Sequence, residues 1–173
     1  VGVMSVLLLW LEGPLQSWGA DSRYGNRTTL PFPTRSGVLG LLCCAAGRGG
    51  EQREWLARMA DWTQTVRAYA RRKGDRAALA PLLTSEGKKP VGSGAKMTYR
   101  HYIQDMAFAC ALELPEEEAV ALAAALEHPV WELSLGRRNC PPSDIIGRGV
   151  FPSEAGALEA ADVLAARKDR SAV

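Results

Sequence analysis

The chain has 173 residues, 47 % of them hydrophobic and 23 % charged, and a net charge of only +2. That is the ordinary balance of a soluble globular protein with one sizeable core. No apolar stretch is long enough for a membrane helix, and no charged n-region with a cleavage site precedes the first apolar run. The expectation is a cytoplasmic protein without a membrane partner.

Val3 to Leu11 is a nearly unbroken apolar run, suited to a buried central strand, and it stops at Glu12-Gly13-Pro14. A loop from Leu15 to Arg27 then mixes aromatics, glycines and arginines, with Trp18 and Tyr24 as candidates for stacking or for packing and Arg27 beside them. A strand feeding such a loop and then a helix offers a stacking surface beside a backbone clamp, a common way to hold single-stranded RNA. The helix is predicted over 36–46. Pro33 holds Thr34 extended, and Thr34 or Ser36 can cap the first free N–H groups. Arg35 adds a guanidinium where the positive end of the helix dipole favours an anion, and Gly37 and Gly40 would let a phosphate approach. The spacing is not G-x-x-x-x-G-K-[ST], so this is no nucleoside-triphosphate loop. A capped core helix with a solvated arginine would read the same way.

Further along, the patterning predicts a helix near 51–60, a strand near 62–70, a strand at 101–113, a helix at 116–127 and a strand near 130–135. A last amphipathic helix runs from Glu154 to Arg167. Glu116, Glu117 and Glu118 after Pro115 complement the dipole of the 116–127 helix, with Val120, Leu122, Ala123 and Leu126 as its apolar face. The succession is β-α-β-β-α-β-like. It predicts an α+β, ferredoxin-like domain with an antiparallel sheet and helices on one face. Arg137-Arg138 falls in a turn between Gly136 and Pro141-Pro142, where a stiff backbone would present two guanidiniums as a phosphate clamp or simply to solvent.

Charge along the chain is uneven. From Arg67 to Arg100 nine basic residues stand against Asp75 and Glu86, whereas Glu113 to Glu132 holds six glutamates and no lysine or arginine. The small net charge therefore conceals a basic region fit for phosphate. Within it, Gly87-Lys88-Lys89-Pro90-Val91-Gly92-Ser93-Gly94 is loop chemistry, and the predicted excursion covers about 66–100. Cys43, Cys44, Cys110 and Cys140 have no C-x-x-C pairing and read as reduced, buried thiols rather than a zinc site. With only His101 and His128 besides, neither a metal nor another cofactor is expected.

Four segments together carry a family resemblance. Leu11-Glu12-Gly13-Pro14-Leu15-Gln16-Ser17-Trp18-Gly19, Phe32-Pro33-Thr34-Arg35-Ser36-Gly37-Val38-Leu39-Gly40-Leu41-Leu42, Tyr99-Arg100-His101-Tyr102-Ile103-Gln104-Asp105-Met106-Ala107-Phe108 and Leu135-Gly136-Arg137-Arg138-Asn139-Cys140-Pro141 resemble, in order, the CasD family of type I-E CRISPR Cascade. The resemblance implies a repeat-associated mysterious protein with an RNA-recognition-like fold. It also implies one RNA-binding domain over 1–173 that caps the 5′ handle of a CRISPR RNA and docks on the Cascade backbone and large subunits. Its RNA-binding residues would be Trp18, Tyr24, Arg27, Thr34, Arg35, Ser36, Arg100, Arg137 and Arg138. The chain departs from the family in lacking an Asp-(Phe/Tyr)-His-Thr motif between Val66 and Thr98, which implies a shortened thumb-like projection.

The alternative is a metal-independent endoribonuclease that processes CRISPR precursor RNA, with Tyr99, His101 and Tyr102 beside Lys96 and Arg100 supplying a base and a cation. On a strand, however, Tyr99, His101 and Ile103 share one face and Arg100 and Tyr102 the other. At most half the group could meet one substrate. The expectation is a non-catalytic RNA-binding subunit.

Overall fold

A computed structural model of the chain describes residues 3–19, 25–71, 79–85 and 97–173. In chain order the elements are β1 (Met4–Glu12), β2 (Leu15–Gln16), β3 (Asn26–Arg27), α1 (Arg35–Ala45) and α2 (Arg53–Arg58), the last followed by a 3-10 turn at Met59–Asp61. Then come β4 (Thr63–Arg71), β5 (Leu79–Ser85), β6 (Met97–Gln104), β7 (Ala107–Pro115), α3 (Glu116–Glu127), β8 (Gly147–Phe151), α4 (Glu154–Arg167) and β9 (Arg170–Ala172).

The main sheet has the order β8-β1-β7-β4-β9, with every neighbour antiparallel. Its first four strands, with α1 and α3 as the crossovers, form the β-α-β-β-α-β unit expected from the sequence, so the fold is α+β and ferredoxin-like. β1 lies inside the sheet, which is why its apolar run is unbroken rather than alternating. Leu7, Leu9 and Leu11 enter one core with α1 and α3, while Val6, Leu8 and Trp10 enter a second core on the opposite face with α4.

That second core adds a layer the sequence pattern did not place. α4 lays Ala157, Leu158, Ala161 and Ala165 on the sheet, and these mostly small side chains allow close approach. Trp10 and Tyr69 meet beneath it with ring centroids 5.3 Å apart, and the Tyr69 hydroxyl donates to Asp162 of α4 at 2.7 Å. Burial first, and then the bond to Asp162, push the Tyr69 phenol up. The sheet face on which RNA-recognition domains stack bases is therefore filled by a helix.

A smaller sheet is built around β6. β2 and β3 pair along it, Leu15 opposite Gln104 and Asn26 opposite Tyr99, and β5 pairs antiparallel from Leu79 opposite Ile103 to Ser85 opposite Met97. This β5–β6 hairpin occupies the predicted basic excursion. Tyr24, Arg72, Lys73, Arg76, Lys88, Lys89 and Lys96 lie outside the described residues.

Several boundaries differ from the sequence reading. The strand expected at 101–113 is two strands, because Asp105 adopts φ +53 and turns the chain between the two sheets. The strand expected near 130–135 is a loop, since Val130 and Trp131 donate their N–H groups to Ala45 and Cys44 at the end of α1 instead of entering a sheet. Val120 is exposed; α3 buries Ala119, Leu122 and Leu126. The helix near 51–60 closes at Arg58 into the 3-10 turn, and β8 and β9, too short and polar to stand out in the sequence, take the two sheet edges.

One charged cluster ties the end of β1 to the C-terminal elements. Arg170, only 2 % exposed, donates to Glu12 through Nε (3.2 Å) and Nη2 (2.9 Å) and to the Asp105 carbonyl through Nη1 (2.6 Å). Lys168 bridges Glu12 and Asp144 at 2.8 and 2.6 Å. Burial alone would raise the Glu12 carboxyl above its ordinary 4.5, but the bonds from Lys168, Trp10 and Arg170 and the charge of Arg170 outweigh it, and the net shift is downward. A carboxyl depressed by folding gives stability that is present above its unfolded value and lost as pH falls through the folded one. Urea unfolding should therefore show stability declining below about pH 4.5. E12Q should remove part of that decline and, by leaving a buried guanidinium uncompensated, cost about 3 kcal/mol at neutral pH.

Candidate nucleic-acid interface

Three sequence motifs that are far apart in the chain meet at the indole of Trp18. Its ring is fully buried, and its Nε1–H donates to the Gln16 side-chain oxygen at 3.1 Å. Gln16, also fully buried, uses its amide nitrogen on the carbonyls of Leu11 (3.1 Å) and Met106 (2.8 Å). The first turn of α1 passes directly over the indole: a Cβ on Gly37 would lie 2.7 Å from Trp18 Cε3. The 135–140 turn meets the backbone of Ser17 and Trp18. Gly136 has φ +89, and a Cβ there would lie 1.8 Å from the Ser17 carbonyl oxygen, so only glycine fits. Two backbone bonds fasten the turn, Ser17 N–H to Leu135 O at 3.1 Å and Leu135 N–H to Cys140 O at 2.7 Å.

This junction leaves a cleft of about 340 Å³ between the start of α1 and the Gly136 turn. Thr34 caps the helix, its hydroxyl accepting from the Gly37 N–H at 3.2 Å, and Ser36 donates to that hydroxyl at 3.5 Å. Thr34, Ser36, Arg27 and Arg137 line the cleft, and none of the described residues that line it is a carboxylate. Arg137 is held rigidly: Nη2 donates to the carbonyls of Arg27 (3.0 Å) and Thr28 (3.5 Å), Nη1 to His101 (3.5 Å), and the guanidinium lies 5.1 Å from the Tyr102 ring centroid. Helix N–H groups, the positive dipole end and two guanidiniums thus converge on one concave surface, which is the chemistry of a phosphate site.

The other sequence candidates take different parts. Arg35 turns away from the helix cap and donates to the carbonyls of Met59 and Ala60, closing the end of the 3-10 turn. Trp18 borders the cleft, but its side chain is entirely buried and packs in the core. Gly37, which also borders the cleft, makes room for that indole, whereas Gly40 faces open space. Arg100 is half-buried opposite Arg27 in the β3–β6 pairing, outside the cleft lining. Arg138 is exposed and lines a separate cleft. Tyr24 lies outside the described residues. Tyr102 is buried and accepts from Asn139 at 2.8 Å, while Tyr99 is 48 % exposed on the opposite strand face, so the hypothetical catalytic group is divided as the alternation predicts.

Gln16 and Gly136 were not among the predicted site residues, yet they position the cleft. A buried amide between two invading backbones has no sequence signature beyond its place beside Trp18.

The glycines give a direct test. G136A should be strongly destabilising in urea or thermal unfolding, and G37A destabilising by displacement of the indole. G40A, on an open helix face, should stabilise by about 0.5–1 kcal/mol through helix propensity.

The chain has clear relatives. The family model described as CRISPR-associated protein (Cas_Cas5) matches residues 6–172. The "CRISPR system Cascade subunit CasD" of Escherichia coli (strain K12) is 33 % identical over 150 residues, covering 79 % of this chain and 67 % of that protein. Among solved structures, a chain of a CRISPR RNA-guided surveillance complex is similar with a TM-score of 0.65 and 31 % identity over 82 % of this chain. A crystal structure of a Cas protein is similar with a TM-score of 0.60 and 35 % identity, over 89 % of this chain and 69 % of that one. The chain spans 61 % of the length of the surveillance-complex relative. With the family model matched over nearly all its length and a ferredoxin-like sheet beneath the shared motifs, the chain belongs to the Cas5 family of CRISPR-associated proteins.

Proposed function

We propose that this chain is a non-catalytic subunit of a CRISPR RNA-guided surveillance complex, a single RNA-binding domain that holds the repeat-derived 5′ handle of the CRISPR RNA and docks on the Cascade backbone and large subunits. The observation that carries the reading is the convergence of Arg27, Arg137 and the capped start of α1 on one cleft with no carboxylate among the described residues that line it. The covered sheet face argues in the same direction, because with α4 in place the RNA is left to the loops and edges. Phosphate contacts of this kind set the register of a strand without reading its sequence. The similarity to a Cascade subunit and to a chain of a surveillance complex supports the assembly.

Within this reading Arg27 touches the backbone of the RNA, and Arg137 both touches it and fixes the turn. Arg35 has a folding role, holding the 3-10 turn against α1. R27A should therefore weaken RNA binding and lower the slope of log K against log salt by about 0.7 for one lost phosphate contact to a single strand. R35A should lower thermal stability and leave that slope unchanged. Equal affinity and slope for R27A and the unmodified chain would discard the cleft.

The division of Tyr99 and His101 from Tyr102 across β6 supports the non-catalytic assignment. Repeat RNA incubated with the purified chain, with or without divalent metal, should remain intact on a denaturing gel. Specific cleavage abolished by H101A would reverse the assignment.

A further inference from the structure

The Gly136 turn separates two clefts. Its near side forms the phosphate cleft through Arg137; on its far side Arg138 borders a larger cleft of about 850 Å³ with Trp131, Glu132, Leu133, Ser134 and Pro141. Trp131 is 46 % exposed. Large exposed indoles are usually costly, yet this one is built in place. The backbone N–H of Trp131 donates to the Cys44 carbonyl at 3.3 Å, that of Val130 donates to the Ala45 carbonyl at 3.1 Å, and one edge of the ring rests on Gly49, where a Cβ would lie 2.9 Å from Cη2. Val130 in turn sits over Gly47, where a Cβ would lie 2.9 Å from Cγ2. Two glycines after α1 thus make a seat that holds an aromatic face toward solvent.

We propose that the Trp131 cleft is a nucleobase-stacking subsite, receiving a base of the strand whose phosphates lie across the Arg137-Arg138 turn. The proposal rests on the RNA-binding reading above and deepens it by naming where a base goes. Three observations favour a base over other occupants. An indole held against backbone loses little freedom when a planar ring stacks on it, and base–aromatic stacking is the sequence-tolerant half of single-strand binding. Arg138, adjacent in sequence to a cleft arginine but directed to the other side, can hold the phosphate flanking such a base. Glu132 in the lining repels a phosphate from the cleft itself while offering an acceptor to the amino group of a base. A tryptophan beside an arginine is also what a protein partner would engage, and the test separates the two.

The experiment measures binding of fluorescently labelled oligoadenylate and oligouridylate of equal length to the full chain, at several salt concentrations, for the unmodified protein and W131A, W131F, R138A and R27A. Thermal melts check that each variant folds. W131A should bind about tenfold more weakly with an unchanged salt slope, since a stacking contact releases no counterions, and W131F should recover most of the loss. R138A should lower the slope by about 0.7. If R27A weakens binding while W131A does not, the subsite is wrong and the phosphate cleft stands; if neither variant weakens binding, the RNA-binding reading itself fails. Unchanged RNA affinity of W131A together with loss of assembly onto the other subunits of the complex would assign the cleft to a protein and overturn the proposal.

Discussion

The structure depends on the burial of Trp18 and Gln16 at the meeting point of three chain segments. An indole and a primary amide taken fully out of water must have their polar atoms satisfied, and each available partner belongs to a different element: Gln16 to the ends of β1 and of the β6–β7 connection, Trp18 to Gln16 itself. Leaving any of these unpaired would cost about 1–3 kcal/mol. The two glycines that contact this junction, Gly37 and Gly136, are set by its sterics, because any side chain would push α1 or the 135–140 turn away. The cleft is the space left outside once these segments close.

The same logic explains why arginine serves two purposes here. Arg35, Arg137 and Arg170 each bind main-chain carbonyls, a role suited to a rigid guanidinium with five donors. Arg35 and Arg170 are consumed by it. Arg137 is positioned by it, with its charge still bordering a concave surface beside the start of a helix. A guanidinium fixed by the protein beforehand loses less freedom when it meets a phosphate, so the structural role of Arg137 does not compete with the binding role proposed for it.

Covering both faces of the main sheet has a functional consequence. α4, anchored by Tyr69 and Asp162 and by the small-residue contacts of its alanines, fills the face that an RNA-recognition fold would present to bases. In the proposed function, binding falls to the loops that follow β1 and α3 and to the small sheet around β6. These are the places where Arg27, Arg137 and Arg138 and the exposed aromatics Tyr99 and Trp131 are found.

Much of this was legible in the sequence because the signals are local. An apolar run long enough for a two-sided strand marked β1, a threonine after proline marked the start of α1, and three glutamates after Pro115 marked α3. The order of those elements determined the ferredoxin-like fold, and the four motifs determined the family. The tertiary structure alone decided what the side chains do. Thr34 and Arg35 are neighbours in sequence, but one caps its own helix and the other reaches carbonyls 24 and 25 residues away. Arg137 and Arg138 are neighbours too, and they serve opposite sides of a turn. Trp18 looked like a loop aromatic and became the core, because whether a tryptophan packs or stacks depends on which distant glycines leave room for it. Periodicity and capping act over one or two turns of chain, whereas packing and long-range hydrogen bonds are settled only when distant segments close on one another.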